Sequence, residues 1–456
     1  MSAPSAERTP RRRRVALIAA IGALVLAVAA IFLVTGPGPF DFIRGKPVAL
    51  KDYRGTDPTG VPVALMQAPL IGRGRYLAAA ADCVVCHTAP GGKPYAGGFA
   101  FQLPFGTLYS TNITPDQATG IGAYTDAEFL AAMHRGMRRD GAHLYPAMPF
   151  TSYGYMTDAD ALAIKAYLFS LEPVNAPAKP NALAFPFNQR WAMGIWSALF
   201  SPARRFTPIP QQSAEWNRGA YLAEALAHCG ECHTPRNLAF ALNNRKKFAG
   251  AITAGWRAYN ISGDAPTGVG IWQDEELFNY LAMGHAMGHG TAAGPMGEVV
   301  DESFSHLTAA DVRAVVVYVR SVPPVSSPDL PSTLAPAASA SHKEGAVAAN
   351  SLGKSIYEGA CVSCHGWSGE SPVSPYATLT GARAVNDPKA VNVAQVVISG
   401  TKRTAPAGIT QMPGFGDAYS NAEIAAVANF VTARFGAASS SLNEHDIEKL
   451  RQQAAQ

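Results

Sequence analysis

Charge, spare cysteine and long apolar runs are all scarce in this chain of 456 residues. Only 15 % of the residues are charged, and the formal charge of +4 resides in residues 1–14, where Arg8 and Arg11 to Arg14 outweigh Glu7. The rest of the chain is neutral overall. A neutral surface excludes a nucleic-acid binder, which needs basic charge to displace counterions. No cysteine lies outside three short motifs, so no thiol is left for a disulfide or a free nucleophile. No carboxylate pair or nucleophile with an adjacent base stands out for acid–base or covalent catalysis. After residue 34 no stretch is long and apolar enough to span a bilayer. What remains is 48 % hydrophobic, enough to bury cores. At roughly 150 residues per domain, the length suggests about three domains.

The one long apolar run is Val15 to Val34, free of charge and long enough to cross a membrane. Arginines 11–14 before it predict a cytoplasmic N-terminus, with every cysteine on the outer side. A cleaved signal peptide is the competing reading, since Ala27-Val28-Ala29 offers a small-residue cleavage site. Ile31 to Val34 continue the run past that site and favour an uncleaved anchor. Both readings imply export.

All six cysteines belong to one repeated pattern: Cys83-Val84-Val85-Cys86-His87, Cys229-Gly230-Glu231-Cys232-His233 and Cys361-Val362-Ser363-Cys364-His365. Cys-x-x-Cys-His is the attachment signal for c-type haem, in which two thiols form thioethers and the adjacent imidazole becomes the proximal iron ligand. Thioredoxin-like pairs do not require that histidine. Zinc sites combine two pairs, or one pair with two spaced histidines. The motifs open at Cys83, Cys229 and Cys361, each a domain's length from the next, so each belongs to its own domain, and three covalent haem c groups are expected.

The motifs sit in a longer repeat. Gly74-Arg75-Tyr76-Leu77 precedes the first as Gly219-Ala220-Tyr221-Leu222 precedes the second, and Gly353 with Tyr357 precedes the third. Asn112-Ile113-Thr114 and Gly120-Ile121-Gly122 return as Asn260-Ile261-Ser262 and Gly268-Val269-Gly270. Thr157-x-x-Asp160, Thr308-x-x-Asp311 and Ser420-x-x-Glu423 read as capping boxes that open closing helices, whose apolar residues recur at helical spacing. No strand pattern stands out, and the expected class is all-α. The expected boundaries are a basic cytoplasmic tail at 1–14, an anchor at 15–34, and helical domains at 68–172, 214–321 and 351–436. A connector occupies 173–213, a linker 322–350 and a C-terminal tail 437–456. From Ser321 to Asn350, Pro, Ser and Ala supply more than half of the sequence without an aromatic, which describes a semi-flexible tether. The 173–213 connector is instead rich in Phe and Trp. It either packs over the first two domains or docks a partner subunit or membrane.

A low-spin haem needs a distal ligand, and methionine gives the higher-potential pair. In the third domain Met412, followed by Pro413, is the only methionine, with His445 the only spare histidine. In the first, Met148 shares the Met-Pro context; Met133, Met137, Met156, His134 and His143 are its rivals. In the second, Met296 follows His233 at nearly the interval by which Met148 follows His87, against Met283, Met287, His285 and His289. With every iron saturated, the chain reads as a relay for single electrons.

These residues resemble the three-haem cytochrome c subunits of bacterial membrane-bound periplasmic dehydrogenases for alcohols, gluconate and other sugars. The more specific segments are His143-Leu144-Tyr145-Pro146-Ala147-Met148-Pro149, Phe185-Pro186-Phe187-Asn188-Gln189-Arg190-Trp191 and Cys229-Gly230-Glu231-Cys232-His233-Thr234-Pro235-Arg236-Asn237. The resemblance implies three tandem cytochrome c-type domains, here behind a single transmembrane helix. It implies electrons passing from the flavin or pyrroloquinoline quinone of a catalytic subunit to ubiquinone at the outer face of the inner membrane. It also implies His87, His233 and His365 as proximal ligands and Met148, Met296 and Met412 as distal ones. The anchor departs from relatives that look peripherally attached. Similar subunits accompany molybdenum hydroxylases of aldehydes or N-heterocycles, which leaves the partner's cofactor open. A multihaem enzyme with one iron lacking its methionine, and a donor subunit of a terminal oxidase, are the other readings.

Overall fold

The computed structural model describes residues 35–201, 204–327, 350–405 and 408–454. The expected basic tail and anchor, and the linker from 328 to 349, lie outside these residues. Among the described residues no helix is long and apolar enough to cross a membrane.

The first segment holds α1 (Leu70–Ala80), the motif turn α2 (Cys83–Cys86), α3 (Asp126–Arg135), α4 (Phe150–Tyr153) and α5 (Asp158–Phe169). Helix α6 (Ala192–Phe200) lies in the connector. The second repeats the order with α7 (Ala214–Tyr221), α8 (Gly230–His233), α9 (Asp274–Met283), α10 (Gly294–Glu302) and α11 (Ala309–Ser321). The third holds α12 (Ser351–Ile356), α13 (Val362–His365), α14 (Val391–Ser399), α15 (Asn421–Phe435) and α16 (Glu444–Ala454).

In each segment the helix entering the motif crosses the closing helix: α1 on α5, α7 on α11 and α12 on α15. The repeated glycines explain how closely. A Cβ on Gly74, Gly219 or Gly353 would collide with the carbonyl oxygen of Ala163, Ala314 or Ala426 in the partner helix. One apolar cluster runs through the first two segments and includes Leu77, Ile164, Tyr221 and Val315. A separate one, with Tyr357, Ile424 and Phe430, serves the third.

The all-α expectation is corrected to a helix-rich fold with short hairpins. These are β1 (Ala100–Leu103), β2 (Gly106–Tyr109) and β3 (Ala182–Leu183), then β4 (Ala251–Thr253) with β5 (Trp256–Ala258), β6 (His285–Ala286) with β7 (Gly290–Thr291), and β8 (Thr401–Ala405) with β9 (Gly408–Met412). Two to five residues are too few to establish a period-two pattern in sequence. The third strand comes from the connector, pairing Ala182 with Thr107 and Leu183 with Gly106. Further along, Phe187 stacks on Phe105 at 4.1 Å, and Trp196 packs on Phe150 while its indole N–H donates to the Ala239 carbonyl. The connector thus lies over both of the first two segments. The tether is likewise not loose from its start: Val322 is buried, Val325 accepts from Asn260, and the Ser327 hydroxyl donates to the Ala249 carbonyl.

Only one of the three expected capping boxes closes fully, with Ser420 and Glu423 bonded reciprocally. At Thr157 and Thr308 the hydroxyl caps the helix, but the aspartate three residues on turns away. Each is taken by a tyrosine of the other segment. The Tyr221 hydroxyl donates to Asp160 at 2.5 Å and accepts from the Thr157 N–H, while Tyr76 donates to Asp311 at 2.6 Å and accepts from the Thr308 N–H. A phenol from the neighbouring segment thus occupies the place of the box's own acid, and the exchange is reciprocal. Arg218 completes one side with two hydrogen bonds to Asp311 and two to the carbonyls of Pro58 and Gly60.

Candidate functional site

Each motif begins where a helix ends in a tight turn. Asp82 and His228, which precede the first cysteine of the first two motifs, both adopt the left-handed conformation, with φ of 53° and 38°. In the third, a π turn over Tyr357–Cys361, like the one at Leu222–Leu226 ahead of the second, leads into the motif without a left-handed residue. The six cysteines form no disulfide. Among the described residues no three of His, Cys, Asp and Glu gather into a metal site. Burial, the largest influence on each, pushes the thiols of Cys83 and Cys229 up to about 12 and those of Cys232 and Cys361 to about 11, and raises Cys86 as well. Burial thus holds five of the six thiols in the neutral form.

The three motif histidines are held alike. Nδ1 of His87 lies 2.7 Å from the Thr111 carbonyl, that of His233 2.6 Å from Tyr259, and that of His365 2.6 Å from Ala377. A carbonyl only accepts, so Nδ1 carries the proton and Nε2 keeps its lone pair, the tautomer that an iron ligand requires. Burial lowers the pKa of all three imidazoles and favours the neutral form further. This donor set fits haem c at each motif. The partner carbonyls had one sequence signal: Thr111 and Tyr259 immediately precede the repeated Asn112 and Asn260. Those asparagines anchor the loops, since each donates to the chain after its closing helix, at Val174 and Val325.

The candidate distal methionines occupy three different settings. Met148 is half-buried in the loop before α4 and packs on the first cluster; Met412 ends β9 and packs on the second. Met296 is half-buried in the first turn of α10. Among the rivals, Met133 and Met156 are buried core residues, while Met283 and Met287 lie 37 % and 70 % exposed at the surface. Several of the spare histidines have partners elsewhere, whereas His143 keeps a buried Nδ1 without a hydrogen-bond partner. His134 contacts the Tyr153 carbonyl and Asp158, His285 bonds Thr291, and His289 stacks on Trp272. His445 is exposed beside Glu448.

The first two motifs face one another through residues that periodicity does not reveal. Tyr153, fully buried, donates to the Ala81 carbonyl just before the first motif and packs edge-on to His228 just before the second. Glu231, inside the second motif, accepts from Thr151 and pairs with Arg236 at 2.6 Å. Helix α10, which bears Met296, reaches back to α2 in the first motif. There burial, then the charges of Glu298 and Glu302, raise the pKa of Asp82 well above the usual carboxylate range.

Comparison with known proteins agrees with this chemistry. The family described as Cytochrome c matches residues 71–172 and 351–434. The chain is 44 % identical over 382 residues to a nicotinate dehydrogenase subunit of Pseudomonas putida, covering 82 % of this chain but 31 % of that relative, so it spans about a third of that protein's length. It is 37 % identical over 414 residues to the fructose dehydrogenase cytochrome subunit of Gluconobacter japonicus, covering 86 % of this chain and 85 % of the relative. It is 36 % identical over 413 residues to the cytochrome c subunit of the quinone alcohol dehydrogenase of Gluconacetobacter polyoxogenes, covering 86 % and 87 %. At these identities over nearly the full length of two relatives, the chain belongs to the cytochrome c family, among the cytochrome c subunits of bacterial dehydrogenases.

Proposed function

We propose that this chain is the electron-transfer subunit of a membrane-bound periplasmic dehydrogenase, relaying electrons from a catalytic subunit to ubiquinone or another respiratory acceptor. The observation that supports this best is the threefold recurrence of a cysteine pair beside an imidazole whose Nδ1 is fixed by a backbone carbonyl. In this reading Cys83, Cys86, Cys229, Cys232, Cys361 and Cys364 attach three haem c groups, one in each of three domains. His87, His233 and His365 are proximal ligands, and Met148, Met296 and Met412 distal ones. The bound groups supply one-electron transfer. The protein's own part is to fix each imidazole tautomer, exclude water and set the separation of the motifs. Residues 15–34 anchor the chain in the inner membrane, with the haem domains in the periplasm.

Two substrate classes fit the partner. The fructose, alcohol and gluconate dehydrogenase relatives favour a flavin or pyrroloquinoline quinone catalytic subunit oxidising an alcohol, sugar or sugar acid. The nicotinate dehydrogenase relative favours a molybdenum enzyme acting on an aldehyde or N-heterocycle. A mild-detergent pull-down of the tagged chain, with the cofactor of the copurifying large subunit identified, separates them. Flavin or pyrroloquinoline quinone establishes the first class, and molybdenum with iron–sulfur clusters the second. Copurification with a terminal oxidase instead would refute both.

A further inference from the structure

The connector presents an apolar stripe that the fold leaves uncovered. Trp191, which caps the start of α6, and Ile195 and Leu199 on it recur every fourth residue and are 70 %, 60 % and 38 % exposed, while Trp196 packs inward. The loop joined to Trp196 at the Ala239 carbonyl adds Leu238, fully exposed, and Phe240, which packs edge-on to Phe187. Large apolar side chains exposed near one another on a protein surface mark a site of interaction.

Two further observations identify the partner. The first is charge. No Asp or Glu occurs between Glu172 and Glu215, where Lys179, Arg190, Arg204 and Arg205 lie. None occurs between Glu231 and Asp264, where Arg236, Arg245, Lys246, Lys247 and Arg257 lie. Arg204, Arg245 and Lys246 are exposed. Four of the others are paired within the fold, Arg205 with Asp158, Arg236 with Glu231, Lys247 with Glu224 and Arg257 with Asp387, so the exposed cations beside the stripe are Lys179, Arg204, Arg245 and Lys246, and an apolar helix face with exposed cations beside it suits the interface of an anionic bilayer. The second is where the chain arrives. Asn244 donates to the Pro37 carbonyl at 3.1 Å, and Gly36 sits against the Arg245 guanidinium. The described chain begins at Thr35, so the apolar run 15–34 joins the protein beside this same loop.

We propose that the Trp191–Ile195–Leu199 stripe, with Leu238 and Phe240, lies in the interfacial layer of a bilayer containing anionic phospholipid. This inference rests on the reading of residues 15–34 as a membrane anchor. The stripe gives the haem-bearing part a second attachment, which fixes its orientation over the membrane where a single point of attachment would not.

The test uses the full-length, haem-loaded chain in vesicles of phosphatidylethanolamine and phosphatidylglycerol doped with a photoactivatable phospholipid, with crosslinked peptides identified by mass spectrometry. Labelling is expected at both 15–34 and 191–199, with labelling at 191–199 reduced when phosphatidylglycerol is left out. The double variant Ile195→Glu/Leu199→Glu, checked for unchanged haem spectra, is expected to lose about tenfold of the label at 191–199 while keeping it at 15–34. Labelling at 15–34 with none at 191–199 in the unaltered chain would overturn the proposal and leave the anchor intact. Labelling at 191–199 without 15–34 would support the stripe and refute the anchor. Absence of both would refute both.

Discussion

Replacing Gly74 by alanine should destabilise the first segment, whereas the same change two residues earlier in the same helix should not. At Gly74 a Cβ would collide with the Ala163 carbonyl oxygen and also stand 2.7 Å from the Ala163 carbonyl carbon and 2.9 Å from the Tyr167 Cβ. Carbon atoms rest about 3.5–4.0 Å apart, so α1 and α5 would have to separate by about 1 Å. A gap of that size forfeits a quarter to a half of each contact along the crossing, and overpacking of this kind costs about 1–3 kcal/mol or somewhat more. The better helix propensity of alanine returns at most about 1 kcal/mol. At Gly72 the nearest atom is the Ala68 Cβ at 3.6 Å, an ordinary contact, so only the propensity gain remains. The two variants should therefore differ by about 3 kcal/mol, or about 6–12 °C in midpoint for a unit of this size. Thermal unfolding of the haem-loaded protein by circular dichroism measures the difference. A Gly74→Ala midpoint equal to that of Gly72→Ala would refute the close helix crossing as the reason for the repeated glycine.

Met412→Leu keeps side-chain volume and removes the thioether, so the third haem should stay attached but become high-spin with a lowered potential; an unchanged spectrum and potential would exclude Met412 as ligand. Cys361→Ala should reduce haem per chain from three towards two by pyridine haemochrome assay, and full retention would contradict the attachment reading. Tyr221→Phe removes a hydroxyl that serves Asp160 and Thr157 in the core, and should cost about 2 kcal/mol in thermal or denaturant unfolding. A loss too small to measure would remove the exchanged phenol from the account of stability. The backbone N–H and hydroxyl of Ser420 hold Glu423 below the usual glutamate range. Its folded form therefore binds fewer protons than the unfolded, so its contribution is present above the unfolded pKa and lost as pH falls through the folded one. Glu423→Gln should make the acid-side loss of stability shallower, and an identical acid limb would refute the linkage.

Much of this architecture is legible in the residues, because each copy of the repeat retains what close packing demands. Gly74, Gly219 and Gly353 mark the helix crossings, Asn112 and Asn260 the loop anchors, and Thr157, Thr308 and Ser420 the starts of the closing helices. The hairpins are not legible, since such short strands leave no alternation to detect. Nor is the fate of Asp160 and Asp311, which read as local capping acids. Their partners lie 61 and 235 residues away in sequence, and only the apposition of two segments makes a phenol a better partner than the helix's own first turn. The same holds for Tyr153 and Glu231. Each reads as an ordinary core or surface residue until the first two motifs are brought face to face.

The two junctions between segments differ in chemistry in a way that bears on a relay. The first two segments share one apolar cluster, and their phenol–carboxylate pairs are buried. Rotating one against the other would strand two carboxylates and two hydroxyls away from water, at about 1–3 kcal/mol each. Only one register satisfies all four groups, so the first two motifs are set at a fixed separation. The third segment has its own apolar cluster and meets the second through polar groups. Arg403 bonds the Gly297 carbonyl at 2.6 Å and pairs with Asp301 at 3.0 Å, Arg257 pairs with Asp387 at 3.5 Å, and Asn392 bonds the Arg257 backbone in both directions. Burial works against the charge on Arg403, and the neighbouring Asp301 carboxylate works in its favour. The rate of a step between redox groups falls steeply with their separation. In the relay proposed above, the step held at constant distance is therefore the one between the first two motifs, while the one that reaches the third crosses a junction of buried ion pairs, which salt screens little.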